Sequence, residues 1–106
     1  MAKFLISASY TSEGTKGLQK DGGSGRLAAV QKALEALGGK VDSFHFAFGK
    51  VDAYVICDVP DAVSGIALSL AVNGSGVVHA TTTPLITVEE MDAACKKPTA
   101  YRAPGA

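Results

Sequence analysis

The order of two repeating patterns, one with the period of a strand and one with the period of a helix, limits the fold more than any other feature of this sequence. Strand-like segments alternate apolar and polar residues or are rich in β-branched residues, and they occupy residues 3–10, 40–48, 53–59 and 77–87. Apolar residues recur at helical spacing in two further segments, 26–37 and 61–72, and glycines follow both. The order strand, helix, strand, strand, helix, strand predicts an α+β split βαβ fold: a four-stranded antiparallel sheet with both helices on one face.

The segment between the first strand and the first helix is the least ordinary part of the chain. It reads "TSEGTKGLQKDGGSG", residues 11–25, and its glycines predict a long loop where compact domains use about 2–6 residues. Lys20 in this loop and Arg26 at the start of the helix could bind an anionic group, helped by backbone N–H groups and the helix N-terminus. The alternative is a flexible surface loop.

The second helix and the segment after the last strand raise a question of packing. The stripe predicted to face the sheet consists of Val63, Ile66, Ala67 and Leu70, yet the opposite side of this helix is apolar as well. A second packing partner is therefore expected, either the C-terminal segment or another subunit.

A short third helix is predicted after the last strand. Thr87 and Glu90 match the T-x-x-E capping box that opens a helix, and Lys96, Lys97 and Pro98 end it. Its predicted inward residues are Val88, Met91, Ala94 and Cys95. We take residues 1–97 as a single domain and 98–106 as an irregular tail.

Composition excludes several classes of function. A chain of 106 residues, 47% hydrophobic, builds one core, and ten basic residues spread among ten acidic ones give no electrostatic footprint for nucleic acid. The first apolar run is broken by Ser7 and Ser9, which predicts neither a signal peptide nor a membrane span. We therefore expect a cytoplasmic protein without a membrane partner, in which Cys57 and Cys95 remain thiols and Cys57 is a buried hydrophobe.

Polar side chains recur on one side of the predicted strands. In "FHFAFGKVDAYVICD", residues 44–58, His45 alternates with phenylalanines, as it would if it pointed to the sheet face that the helices leave uncovered. Placing the polar member of each strand on that face groups seven side chains: Ser7, Ser9, His45, Asp52, Tyr54, His79 and Thr81.

This group of side chains allows three interpretations. Acid–base catalysis would use His45, Asp52 and Tyr54, because imidazole titrates near neutrality and a carboxylate can orient it. Metal binding is the second, although no short-range ligand spacing supports it. The third is a set of satisfied polar groups in a subunit interface. A bound ligand would also meet Ser9 and His79 on the sheet, and Lys20 on the loop or Arg26 at the start of the helix.

Several stretches together resemble one family, the GYD domain proteins: "SYTSEGTKGLQKDGGSGR", "FGKVDAYVICDVPD", "ALSLAVNGSG", "TTTPLITVEEMDAA" and "YRAPGA". The signature in the hairpin is carried by Gly49, Val51 and Asp52, with valine where relatives usually have an aromatic residue, and Arg26 also matches the pattern. The resemblance implies a small bacterial protein with a ferredoxin-like fold of the dimeric α/β-barrel type. Neighbouring families include cofactor-free monooxygenases, isomerases, lyases and ligand-binding regulators, so the resemblance alone implies no single activity.

Three functions are consistent with the sequence. The first is a homo-oligomer that binds a small, anionic or neutral, organic ligand between the uncovered sheet face and the 11–25 loop. The second is a small-molecule enzyme of the monooxygenase or isomerase kind, with His45 as general base; the sequence leaves any cofactor undetermined. The third is a structural oligomer without a ligand, which predicts no cavity as large as the roughly 300 Å³ that ligand sites need.

Overall fold

A computed structural model describes residues 1–106 and contains four strands and three helices. They are β1 (Ala2–Tyr10), α1 (Ser12–Ala36), β2 (Lys40–Phe46), β3 (Ala53–Val59), α2 (Ala62–Gly74), β4 (Val78–Leu85) and α3 (Val88–Cys95). None of the helices combines the length and the apolarity needed to cross a bilayer.

The sheet has the strand order β2-β3-β1-β4, and every neighbouring pair is antiparallel. Phe4, Ile6 and Ala8 of β1 are buried, and they point to the face on which α1 and α2 pack. Alternate residues of the strands point to the opposite face, over which no helix packs. The predicted α+β, ferredoxin-like architecture is confirmed.

The core lies between this sheet face and the two helices. Leu34 of α1 and Val59 of β3 are fully buried, and burial of an aliphatic side chain of this size contributes about 1.5–3 kcal/mol. Cys57 is also buried, as predicted, and desolvation raises the pKa of its thiol, so it acts as a small hydrophobe.

The predicted loop over residues 11–25 is wrong, because α1 already begins at Ser12. Thr11 is its N-cap: the Thr11 hydroxyl accepts a hydrogen bond from the Gly14 amide at 3.2 Å. Gly22 interrupts the helix with φ 73° and ψ 169°, so α1 consists of two helical halves joined at a kink. The second half contains the predicted helix and ends at Ala36.

The predicted orientation of α2 is also wrong. Gly65 and Leu68 face the sheet, whereas Val63, Ile66 and Leu70 are 75%, 59% and 69% exposed. The reason is a close approach, since a Cβ added at Gly65 would lie 2.7 Å from Phe4 Cε2. The helix therefore turns its smallest residue towards the sheet and its predicted stripe towards solvent.

The third helix forms where the capping box predicts it. The Thr87 amide donates to Glu90 Oε1 and the Glu90 amide donates to Thr87 Oγ1, both at 3.0 Å. However, its predicted inward packing is absent, because every residue from 86 to 106 is exposed. The molecule is accordingly elongated, with a radius of gyration of 16.7 Å where a compact chain of this length has about 13 Å.

Candidate functional site

A cavity with a volume of about 370 Å³ lies on the helix-bearing face of the sheet. Ile6, Ala8 and Val55 of the central strands contribute to its lining. Both halves of α1 and the C-terminal half of α2 complete it, and 15 of its 21 lining residues are hydrophobic. An apolar concavity of this size is within the range of small-molecule sites, about 300–1,000 Å³.

Few polar groups line this cavity, and Arg26 is the only cation among them. The others are Tyr10, Glu13, Asp21 and Ser75. Arg26 Nε is buried and has no hydrogen-bond partner. A guanidinium stays charged and an unpaired buried donor costs about 1–3 kcal/mol, so this N–H group has an unmet need for an acceptor.

Asp52, which was predicted to orient an imidazole, hydrogen-bonds to the backbone of β1. Its Oδ2 accepts a hydrogen bond from the Tyr10 amide at 2.8 Å, and its own amide donates to the Ala8 carbonyl at 2.9 Å. Ser9 makes a similar connection, since its hydroxyl donates to the Lys50 carbonyl at 2.8 Å. Both side chains hold the β2–β3 hairpin against the end of β1, beside the cavity residue Tyr10.

The remaining predicted site residues of the strands lie on the uncovered face of the sheet. The strand register aligns His45, Tyr54, Ser7 and Thr81 in one row across all four strands. His79 lies opposite Ser9 in the adjacent pair. His45 and His79 are exposed and Tyr54 is 42% exposed, so the row is open to solvent in the single chain. Nowhere in the chain do three or more His, Cys, Asp or Glu residues come together as a metal site.

An ion cluster on this face was not predicted. Lys3 contacts Asp42, and its Nζ lies 3.1 Å from Asp58 Oδ1. The hydrogen bond from Lys3 lowers the pKa of Asp42, and the same bond, with a second one to Asp58, raises the pKa of Lys3. The three residues come from three strands, and only the register brings them together.

The structure divides the predicted site between the two faces of the sheet. Arg26 lines the cavity on the helix-bearing face, whereas His45, Tyr54 and His79 lie on the uncovered face. Lys20 is exposed on the first half of α1 and does not line the cavity. A pocket between the uncovered face and residues 11–25 is therefore not formed within one chain.

Sequence reasoning missed the cavity residues Glu13 and Asp21, because the segment after β1 was interpreted as a loop, and it missed Tyr10 at the end of β1. The sequence did contain a signal for a helix that begins here, since Thr11 is a good N-cap residue and Glu13 lies in the first turn.

Comparison with known proteins identifies the family. The model of the GYD domain family matches residues 4–95, and neither the curated proteins nor the solved structures contain a match. Since the family match extends over most of the chain, this protein belongs to the GYD domain family.

Proposed function

We propose that this protein binds a small organic ligand in the cavity between the sheet and the two helices. The observation that carries the proposal is the buried, unpaired Arg26 Nε in a mostly apolar cavity of about 370 Å³. Apolar walls supply the driving force for a hydrophobic body, and Arg26 supplies a directional, charged donor.

The charges in the cavity narrow the class of ligand. Glu13 and Asp21 also line it, so a ligand with several negative charges would meet two carboxylates as well as one guanidinium. A molecule with an apolar, ring-sized body and one acceptor, such as a carbonyl, phenolate or single carboxylate, fits this balance better than a phosphate ester.

Titration with 1-anilinonaphthalene-8-sulfonate tests this proposal, because the probe combines an apolar ring system with one anionic group. The wild type should bind it with enhanced fluorescence, and Arg26→Gln should weaken binding about tenfold or more, as expected for loss of a charged hydrogen bond. Lys20→Gln is the matched control, since it removes the same charge from the same helix outside the cavity.

A second control addresses the other face of the sheet. Tyr54→Ala should leave probe binding unchanged, because Tyr54 lies on the uncovered face. Equal effects of Arg26→Gln and Lys20→Gln, or loss of binding in Tyr54→Ala alone, would contradict the proposed location.

The protein is expected to act as a homo-oligomer in the cytoplasm. Leu5 and Ile56 are half-buried neighbours on the uncovered face, and a second copy placed over them would remove their apolar surface from water. A reducing cytoplasm agrees with the two free thiols, Cys57 and the exposed Cys95.

A second candidate function is cofactor-independent catalysis on the uncovered face, with His45 as general base. The supporting observation is the direct pairing of His45 with Tyr54, with Ser7 next in the same row. Oxygen uptake with a panel of hydroquinones tests it: His45→Ala should abolish uptake and Thr83→Ala, on the same face, should retain it. No uptake by the wild type with any member would count against this candidate.

The interpretation as a structural oligomer without a ligand receives less support. It requires that no cavity of ligand size remains, whereas the cavity beside Arg26 exceeds the lower size of ligand sites.

A further inference from the structure

Two apolar stripes on the surface have the same length and no partner within the chain. The outward stripe of α2 consists of Val63, Ile66 and Leu70, and the α3 stripe consists of Val88, Met91 and Cys95. We propose that α3 is an exchanged arm, whose stripe packs against the outward stripe of α2 in a second copy of this chain.

The amino-acid composition of α2 indicates that its outer side packs against another element. A helix that packs on a sheet with one side normally presents charged residues on the other, but α2 contains no charged residue from Ala62 to Gly74. Its outward stripe is mainly exposed in the single chain. Three large aliphatic side chains in one row are typical of a surface that another element covers.

The short helix α3 needs a tertiary contact to be stable. An isolated helix of eight residues is not stable in water, and a capping box alone does not offset the cost of nucleation. Val88 and Met91 are 74% and 52% exposed, and Cys95 is exposed as well. The helix therefore lacks in this chain the tertiary contact that would stabilise its apolar side.

The short connection before α3 excludes docking on its own α2. Only Ile86 and Thr87 separate β4 from α3, and two residues span at most about 7 Å. The outward stripe lies on the side of α2 away from the sheet. To reach it, the start of α3 would have to lie farther from the sheet than the diameter of α2, about 10 Å, which is more than the connection can span. The α2 of another copy does not have this restriction.

The surface area of the chain indicates the same type of partner. Its accessible surface is 7289 Å², whereas a compact monomer of 10.8 kDa exposes about 5,500 Å². The excess of about 1,800 Å² is larger than the roughly 800 Å² that each partner contributes to a standard interface. A second copy can cover part of this excess symmetrically, since each chain offers one arm and one outward stripe.

Geometry and charge are compatible with this contact. Each stripe extends over seven residue steps, or about 10 Å along its helix. Glu89 and Glu90 of α3 lie outside its apolar stripe, where they can remain in water. Because α2 carries no charge, no like charges oppose each other across the contact.

Crosslinking of Cys95 to a cysteine placed at position 66 tests the inference. With a short, flexible bismaleimide reagent, Ile66→Cys should give a product of twice the chain mass in which residue 66 is joined to residue 95. Ile66→Cys combined with Cys95→Ser should lose this product, and Gln31→Cys, on the exposed side of α1, should not form its equivalent. Cys57 is buried and should not react. A 66–66 link, a 66–95 link within one chain, or no 66–95 link would overturn the proposal.

Sedimentation velocity provides an independent measurement. Met91→Glu should raise the dissociation constant of the oligomer at least about tenfold, because it places a charge in the centre of each apolar contact. Glu89→Gln, outside the stripe, should leave it unchanged. An unchanged association of Met91→Glu would overturn the arm exchange, while ligand binding in the cavity and pairing of the uncovered sheet faces would remain separate questions.

Discussion

Single side chains decide where each helix of this protein begins. Thr11, Asp61 and Thr87 precede α1, α2 and α3, and each accepts a hydrogen bond from the amide three residues later. The cap at Thr87 was predicted, whereas Thr11 was missed because the glycines that follow it suggest a loop. The cap chemistry of one residue thus outweighs an unfavourable composition in the turns behind it.

The N-cap residue Asp61 should make the stability of the folded protein depend on pH. The hydrogen bond from the Ser64 amide lowers the pKa of Asp61 below its ordinary value of 3.8. A carboxylate with a lowered folded pKa stabilises the native state above its unfolded pKa, and this contribution disappears as the pH falls through the folded value. Asp61→Asn keeps a good cap without a titrating group, so the wild type should lose stability relative to this variant below about pH 4. Urea denaturation at several pH values measures the difference; parallel curves would contradict the assignment.

At the scale of elements, the kink in α1 gives the cavity its shape. The first half contributes Glu13 and Asp21 to the lining, and the second half contributes Arg26. Gly22 joins the halves in a backbone conformation that only glycine adopts without strain. A straight helix of the same length could not present both halves to the cavity in this way.

Replacement of Gly22 tests the kink. Gly22→Ala should lower the free energy of unfolding by about 1–3 kcal/mol, because alanine is strained at this φ and ψ. Gly17→Ala is the matched control: it lies in the helical first half with open space around its Cβ and should raise stability by up to about 1 kcal/mol. Shifts of the same sign in urea denaturation of the two variants would show that the kink is not a fixed feature.

At the scale of the whole molecule, the single chain is more extended than a compact domain. The α/β body forms a core, but residues 86–106 remain exposed along their whole length. The uncovered sheet face, α2 and α3 all expose apolar surface that an assembly would bury.

Thermal unfolding at different protein concentrations tests the assembly. If the folded chain associates, its apparent Tm should rise with concentration, because assembly binds the native state and not the unfolded one. The shift should be smaller in Met91→Glu than in the wild type. A Tm that stays constant over a hundredfold range of wild-type concentration would indicate a monomer.

Local patterns were sufficient to predict much of the architecture. Alternation and β-branched content identified the four strands, and the order of elements predicted the split βαβ arrangement, because one sheet with two helices on one side is the simplest way to bury these segments. Thr87 and Glu90 identified α3, since a capping box is a local interaction between near neighbours. Each of these features depends on residues close together in the chain.

Tertiary structure decided the features that join distant residues. Both sides of α2 are apolar, so the sequence could not choose between them; the fit of Gly65 over Phe4 did. The strand register aligned Lys3 with Asp58 and His45 with Tyr54. The cavity beside Arg26 exists only because the kinked α1 and α2 cover the sheet together. The sequence by itself determined which segments become strands and helices, because that depends on local periodicity and capping; which surfaces meet was decided by packing between segments far apart in the chain.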